Sequence, residues 1–322
     1  MHFPISGVDI NPLVLVGVAF IISFFASIAG LSGAFVLLPF QVSVLKFTSP
    51  AVSPTNLVFN VIAIPSGVYR YYREGRMVWP LTWVIITGTI PGIFIGAVFR
   101  IRFFSGARAF KFFVGWVLLY MGYRLIADLL RRTPAASAEA RAFEEDLKRR
   151  TEDARRQLGQ RRFSGLPAKS TILVTEVSFR RISYDFYGHT FSFNPIILFV
   201  LSLVVGVIGG IYGIGGGAII APFIVTFFGL PVYTIAGATL MSTFATSSAG
   251  ILVYLYLAYF YAGSGLAIAP DWLLGAFFGV GGFAGVYLGA RTQRFVPQRI
   301  IKAGLAIIIT FLAVRYIFGF LW

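Results

Sequence analysis

Asn56 and Asn60 stand four residues apart within one apolar stretch of the chain, and Thr239 and Thr243 stand four apart within another. On a helix that spacing sets both members of each pair on one face. Amides and hydroxyls so placed can donate hydrogen bonds to an oxyanion, or bridge helices, the commoner use of any one such residue in a bilayer. Ser242, Thr246, Ser247 and Ser248 widen the second polar face. A glycine break precedes each pair: IAGLSGAF from Ile28 to Phe35 and IYGIGGGAII from Ile211 to Ile220. A helix restarting at Ser32 and Gly33, or at Gly215, Gly216 and Gly217, aims backbone N–H groups and the positive end of its dipole at an anion. The same glycines would equally serve tight helix packing. Arg124 and Arg315, 13 residues after Lys111 and Lys302 respectively, are candidates for an anion relay, although snorkelling to the interface is the commoner role for such arginines.

Other chemistry is scarce. Pro12 to Tyr69, Met77 to Ala127, Pro195 to Pro270 and Trp272 to Trp322 contain no Asp or Glu, which removes paired-carboxylate catalysis and a carboxylate proton relay. There is no cysteine, and two histidines cannot build a metal cluster. The expectation is therefore no enzyme, no metal and no cofactor. The run Gly213 to Ala218 fits the dinucleotide pattern G-x-G-x-x-A, but it follows an apolar helix rather than a strand of a βαβ unit.

The elements that position these residues read as membrane spans. Hydrophobic side chains make up 57% of the 322 residues, and 22 of the 39 charged ones lie between Arg124 and Arg181. The net charge of +15 flanks apolar stretches or sits in that one loop, so it speaks for topology and anion bias rather than for nucleic acid. Apolar stretches run near Asn11–Leu45, Ala51–Tyr69, Leu81–Phe99 and Phe110–Leu130, then Pro195–Gly229, Val232–Ala262, Trp272–Ala290 and Ile300–Trp322.

These two sets superimpose. At an offset of 183, Asn11-Pro12 falls on Asn194-Pro195, Gly30 on Gly213, Gly33 on Gly216, Pro39-Phe40 on Pro222-Phe223, Leu57 on Leu240 and Gly67 on Gly250. At 193, Gly88, Gly92 and Gly96 fall on Gly281, Gly285 and Gly289, and at 191 Lys111 and Arg124 fall on Lys302 and Arg315. The chain is an internal duplication. The opening segment of each half would be ~50 Å long as one helix, against a ~30 Å hydrocarbon core, so it folds back at the glycines.

Ile182 to Ala290 has no Lys or Arg, after which Arg291, Arg294, Arg299 and Lys302 cluster. An even number of crossings keeps that cluster on the side of the basic loop, so each half crosses an odd net number of times and the halves are inverted. Arg100, Arg102, Arg108 and Lys111 then fall outside, against the usual bias. Both termini are expected outside and the central loop inside.

The expected architecture is an all-α polytopic membrane protein of two inverted repeats. Each repeat is a broken or re-entrant helical hairpin plus three transmembrane helices. Residues 1–130 form the first repeat, 131–193 a cytoplasmic insert and 194–322 the second repeat. Within the insert, Ala138–Arg162 reads as an exposed helix with i,i+4 ion pairs, and Thr171–Phe193 as a small β-hairpin turning near Gly188.

The run VGVIGGIYGIGGGAIIAPFIVTFFGLPVYTIAGATLMSTFATSSAG, Val205 to Gly250, resembles the sulfite exporter TauE/SafE family, also called the toluene-sulfonate uptake permeases. The first-half version, FIISFFASIAGLSGAFVLLPF, is similar to it with Leu31-Ser32 in place of Ile214-Gly215. The resemblance implies a secondary permease for small sulfur-containing anions such as sulfite or sulfonates, in a prokaryotic cytoplasmic membrane. The substrate-binding candidates are Ser32, Gly33, Asn56, Asn60, Gly215, Gly216, Gly217, Thr239, Ser242 and Thr243. The expected partners are the anion, the lipid bilayer and a second copy of the chain as an open option. A channel-like anion facilitator, or a non-transporting scaffold that docks partners through the insert, are the alternatives.

Overall fold

The computed structural model describes residues 1–29, 32–73, 75, 77–130, 172–186, 188–292 and 298–321. The helix expected over Ala138–Arg162 lies outside the described residues. Each half opens with Asn-Pro at a helix start. Asn11 Oδ1 accepts from the Leu13 N–H, and Asn194 Oδ1 accepts from the N–H groups of Ile196 and Ile197. The asparagine satisfies otherwise orphaned N–H groups, while proline at the first helical position has none to satisfy.

The first half continues as α1 (Pro12–Ala29), α2 (Gly33–Ser43), α3 (Val52–Ala63), α4 (Pro65–Arg73), α5 (Trp79–Arg102) and α6 (Ala107–Leu130). The second runs α7 (Pro195–Tyr212), α8 (Gly216–Phe228), α9 (Val232–Phe260), α10 (Trp272–Thr292) and α11 (Gln298–Leu321). Among the described residues α5, α6, α7, α9, α10 and α11 are long and apolar enough to cross a membrane, while α1, α2, α3 and α8 supply shorter apolar helices. The opening segments break where the glycines lie, as expected.

The expected single span over Ala51–Tyr69 is instead two helices, α3 and α4. Pro65 has no N–H to give the Val61 carbonyl, and the chain re-forms its ladder from Ile64, whose carbonyl takes the N–H groups of Gly67 and Val68. The equivalent position in α9 is Ser248, which keeps its N–H and donates its hydroxyl to Phe244 O, so α9 runs unbroken for 29 residues.

Glycine contacts fix the helix directions. A Cβ at Gly88, Gly92 or Gly96 of α5 would lie 2.7, 2.3 or 2.3 Å from the carbonyl oxygens of Phe199, Leu203 and Val207. Both numbers rise together, so α5 and α7 run parallel. Gly281, Gly285 and Gly289 of α10 meet the carbonyls of Val16, Phe20 and Phe24 at 2.1, 2.4 and 2.5 Å, and α10 is parallel to α1. The contacts of one half recur in the other at the offsets read from the sequence. Only residues without a side chain permit this approach.

Equivalent helices, in contrast, run antiparallel. Gly115 of α6 faces Ile317 of α11, and Gly122 faces Thr310. The Leu57 side chain fills the notch at Gly250, and Leu240 fills the notch at Gly67, each 2.6 Å from where a Cβ would stand. Such a reciprocal contact is what a two-fold axis across the helices produces. The repeats are inverted.

Strand pairs cap both ends. β1 (His2–Phe3) and β2 (Val8–Asp9) form an N-terminal hairpin that the sequence reading did not expect. The insert contributes β3 (Leu173–Val177), β4 (Ile182–Phe186) and β5 (His189–Phe193), an antiparallel sheet whose β4–β5 turn holds Gly188 at φ +82°. Phe3 and Phe186, 183 residues apart, are both buried. The sheet is anchored to α9 through Tyr184, whose hydroxyl donates to Thr234 Oγ1 at 2.8 Å. Burial pushes the Tyr184 phenol pKa well up. The hairpin is anchored through Asp271, whose carboxylate accepts from the N–H and hydroxyl of Ser6.

Candidate functional site

The centre forms where the α7–α8 break meets α3 and α9. α7 ends on Gly213 in the left-handed region (φ +82°, ψ 34°), and α8 is entered through Gly215 at φ +72°, ψ 149°, a conformation essentially closed to other residues. The break is held by the first half. Asn56 donates to the carbonyls of Gly213 (2.9 Å) and Ala34 (3.0 Å) and accepts from Gln41 Nε2 (3.1 Å). Asn60 donates to Ile214 O (2.9 Å) and Ser247 Oγ (3.2 Å). Ser53, one turn before Leu57, donates to Ile211 O at 2.8 Å. These amides and this hydroxyl take carbonyls that the end of α7 leaves orphaned.

The candidate residues are brought together unequally. Gly215 abuts Ser247 and Thr243, Gly217 abuts the Thr239 carbonyl and Thr243 Oγ1, and Gly216 abuts Thr89 of α5. Asn60, Thr239 and Thr243 therefore surround the first turn of α8. Ser242 turns away, giving its hydroxyl to Ala238 O and to Thr82 O. Gly33 lies against Ser23 and Phe59, and Ser32 is extended without a side-chain cap bond. The Tyr212 hydroxyl joins the two breaks by donating to Phe35 O, with the rings stacked at 5.5 Å.

Every one of the glycines Gly213, Gly215, Gly216 and Gly217 thus stands where a Cβ would strike another helix. Close packing is a use the geometry shows for them directly. The donor use is also present: among the described residues no acceptor takes the N–H groups of Gly216 and Gly217 at the start of α8. The surrounding side chains are neutral and buried.

The two arginines lie away from this centre. Arg124 donates to Thr226 Oγ1 and Pro222 O, both at 3.0 Å, and clasps α8 from α6. Arg315 is exposed on α11. The equivalent clasp in the other half is made by its neighbour Tyr316, hydrogen-bonded to Ser43 Oγ (2.5 Å) and Pro39 O (3.2 Å). Ser43 and Pro39 are the repeat partners of Thr226 and Pro222, so a phenol does on one side what a guanidinium does on the other. The pairing of Arg124 with Arg315 holds in sequence but not in contact.

Sequence reasoning left Gln41, Ser53 and Thr89 out of the site. Gln41 alone carried a readable signal, as an amide inside an apolar helix. An open apolar cavity of about 300 Å³ lies between α4, α5 and α9, lined by Pro65, Tyr69, Trp79, Met241 and Phe244 among others, and touches none of the candidate residues.

A family model described as Sulfite exporter TauE/SafE matches residues 15–316. No curated protein and no solved structure matches the chain significantly.

Proposed function

The chain belongs to the sulfite exporter TauE/SafE family, and from that premise we propose a secondary permease for small sulfur-containing anions such as sulfite or organosulfonates, acting by alternating access in a prokaryotic cytoplasmic membrane. The family consists of membrane transporters, not enzymes. The observation that carries the finer reading is the start of α8: N–H groups at Gly216 and Gly217 that no described residue accepts from, ringed by neutral polar side chains, in a bundle whose equivalent helices pack head to tail.

Neutral donors suit a transported anion, because they stabilise the charge without the deep trap that a full cation would make. In the conformation described, Thr89 and Thr243 press on those glycines. Solute entry therefore requires the α7–α8 hairpin to shift against α5 and α9. An inverted pair of hairpins offers that motion in two equivalent senses, one opening each end. The absence of span carboxylates leaves a proton to travel on the substrate, and sulfite itself takes up a proton near neutral pH.

The alternative of a channel-like facilitator needs a lumen at this level, where α5 and α7 approach within carbonyl contact at Gly92 and Gly96. The packing favours a switching permease. Purified protein in liposomes, tested with sulfite, sulfate, thiosulfate, sulfoacetate and taurine, should give saturable flux of sulfite or one of the organosulfonates. Flux no greater than that of protein-free liposomes for all five would overturn the reading and leave the scaffold alternative.

A further inference from the structure

Arg100 is wholly buried near the end of α5, yet among the described residues no carboxylate pairs with it; the single ion pair there is His2 with Asp9. α5 is parallel to α7, which starts from the insert, so Arg100 lies at the opposite end of the molecule, here called the far end. One guanidinium nitrogen, Nη2, donates to the carbonyls of Thr48 (2.8 Å) and Ser49 (2.9 Å), and Nη1 donates to Phe104 O. The Phe110 ring covers the cation at 3.7 Å.

Carbonyl dipoles and a ring quadrupole satisfy donors but leave the net charge uncompensated, and a buried cation without a counter-ion is costly. Two buried polar atoms at this place have no partner among the described residues: Arg100 Nε and the hydroxyl of Ser49. Unused donors of this kind beside an unpaired cation describe the complement of an anion.

Two acids lie at this end, Asp271, whose carboxylate is taken by Ser6 and whose N–H meets Thr55 Oγ1, and Asp9, which pairs with His2; the segments that hold Arg100 are basic. Lys46, two residues before Thr48, Arg102, two after Arg100, and Arg108, two before Phe110, are all exposed. No acidic residue occurs between Pro12 and Tyr69 or between Met77 and Ala127. A cationic rim leading to a buried cation concentrates small anions at the entrance. It also accounts for Arg100, Arg102 and Arg108, three of the basic residues that run against the usual charge bias of loops.

We propose that Arg100 and Ser49 form an anion-binding station at the far end, taking a small inorganic oxyanion through the free Nε–H and the free hydroxyl. The proposal rests on the transport reading above. The station is coupled to the central break, because the loop gripped by Arg100 leads into α3. Four residues past Ser49, Ser53 holds Ile211 O and its backbone abuts Gly213. An anion that draws the guanidinium from the Thr48 and Ser49 carbonyls loosens the start of α3 and, through Ser53, the end of α7.

The test uses the full chain in nanodiscs and in oriented liposomes, with sodium sulfite as probe at fixed ionic strength. Ser49→Ala removes a hydroxyl that no described residue uses, so melting without sulfite should stay at the parent value while the Kd for sulfite rises about three- to tenfold. Arg100→Lys keeps the charge and loses the fork; KM for sulfite presented at the far end should rise about tenfold or more, while KM from the insert end stays within about twofold. A purely structural arginine would move both KM values together, or neither, and either result overturns the station. Should Arg100→Lys fail to fold, Ser49→Ala decides alone: unchanged sulfite affinity overturns the proposal. A parent that carries sulfite while both variants match it defeats only the station, whereas a parent that neither binds nor carries sulfite defeats the station and the sulfite reading together.

Discussion

The two hairpins occupy equivalent places and are held by different chemistry. The second is pinned from outside, its Gly213 and Ile214 carbonyls taken by Asn56 and Asn60, with Gly213 and Gly217 seated on the backbones of α3 and α9. At the first, a Cβ at Gly33 would meet side-chain atoms of Ser23 and Phe59, and among the described residues the buried Ser23 hydroxyl has no partner. The residues that answer Asn56 and Asn60 by symmetry, Thr239 and Thr243, give their hydroxyls to their own helix, to Ala236 O and Thr239 O. An amide reaches across a gap that a back-bonded hydroxyl does not. The scaffold is symmetric and its polar chemistry is not: Asn56 also holds Ala34 O of the first hairpin and Tyr212 holds Phe35 O, but among the described residues α9 gives that hairpin no counterpart of the two amides that α3 gives the second.

The sharpest way to break this contrast is a methyl group on each hairpin. Gly213→Ala forces a Cβ to within 2.3 Å of the Ser53 carbonyl oxygen at φ +82°. Left-handed strain and backbone overlap together should cost about 2 to 5 kcal/mol, enough to lower the melting temperature steeply or abolish folding. Gly33→Ala meets the Ser23 Oγ at 2.6 Å first, a hydroxyl that can rotate away, and should cost about 1 kcal/mol or less. Equal losses on melting in detergent would show that the two hairpins are held alike.

Next in size come the amides. Asn60→Ala and Asn56→Ala each leave buried carbonyls of the α7 end without a partner, a loss of about 1 to 3 kcal/mol apiece. Thr239→Ala removes only a bond within α9 and should cost about 0.5 kcal/mol. If Thr239→Ala proves as damaging as Asn60→Ala, the asymmetry lies elsewhere.

The clasps give a smaller effect. Arg124→Met loses the bonds to Thr226 and Pro222, and Tyr316→Phe loses those to Ser43 and Pro39. Each should cost about 1 to 2 kcal/mol and change the flux rate more than KM, since neither group reaches the centre. Arg315→Met, the change that sequence symmetry would choose, should leave melting unaltered.

What the sequence made legible is what the backbone constrains. Asn-Pro starts, the glycines of α5 and α10 and the paired breaks each answer a demand on φ, ψ or close approach, and such demands leave fixed residue types at fixed spacing. Side-chain partnerships leave no such trace. Arg100 stands two residues before Arg102 and reads as one more interfacial charge; its burial follows from Phe110 and the Thr48–Ser49 loop, which only the packing of α5, α6 and α3 brings together. Pro65 was visible, but its apolar flanks read as one span until the lost Val61 bond split it. Tyr316, and not Arg315, makes the clasp that answers Arg124, because one residue of drift in the offset suffices to turn a different side chain inward.

Thr243 offers the finest test of the contrast, and here the structure narrows what the sequence suggests. From the spacing alone, Thr243→Ala removes a donor to the anion, worth anything from about two- to a hundredfold in apparent affinity. The hydroxyl proton is already committed to Thr239 O at 2.8 Å, and the oxygen rests 2.4 Å from where a Gly217 Cβ would stand. What faces the start of α8 is therefore a lone pair, which an anion does not seek. Thr243→Ala should shift the sulfite Kd by less than about threefold, whereas Thr243→Val, which keeps the volume and loses the back-bond, should behave like it. A tenfold weakening in Thr243→Ala, with melting unchanged, would mean that the hydroxyl swings off Thr239 to meet the solute, and that α9 contributes side-chain donors after all.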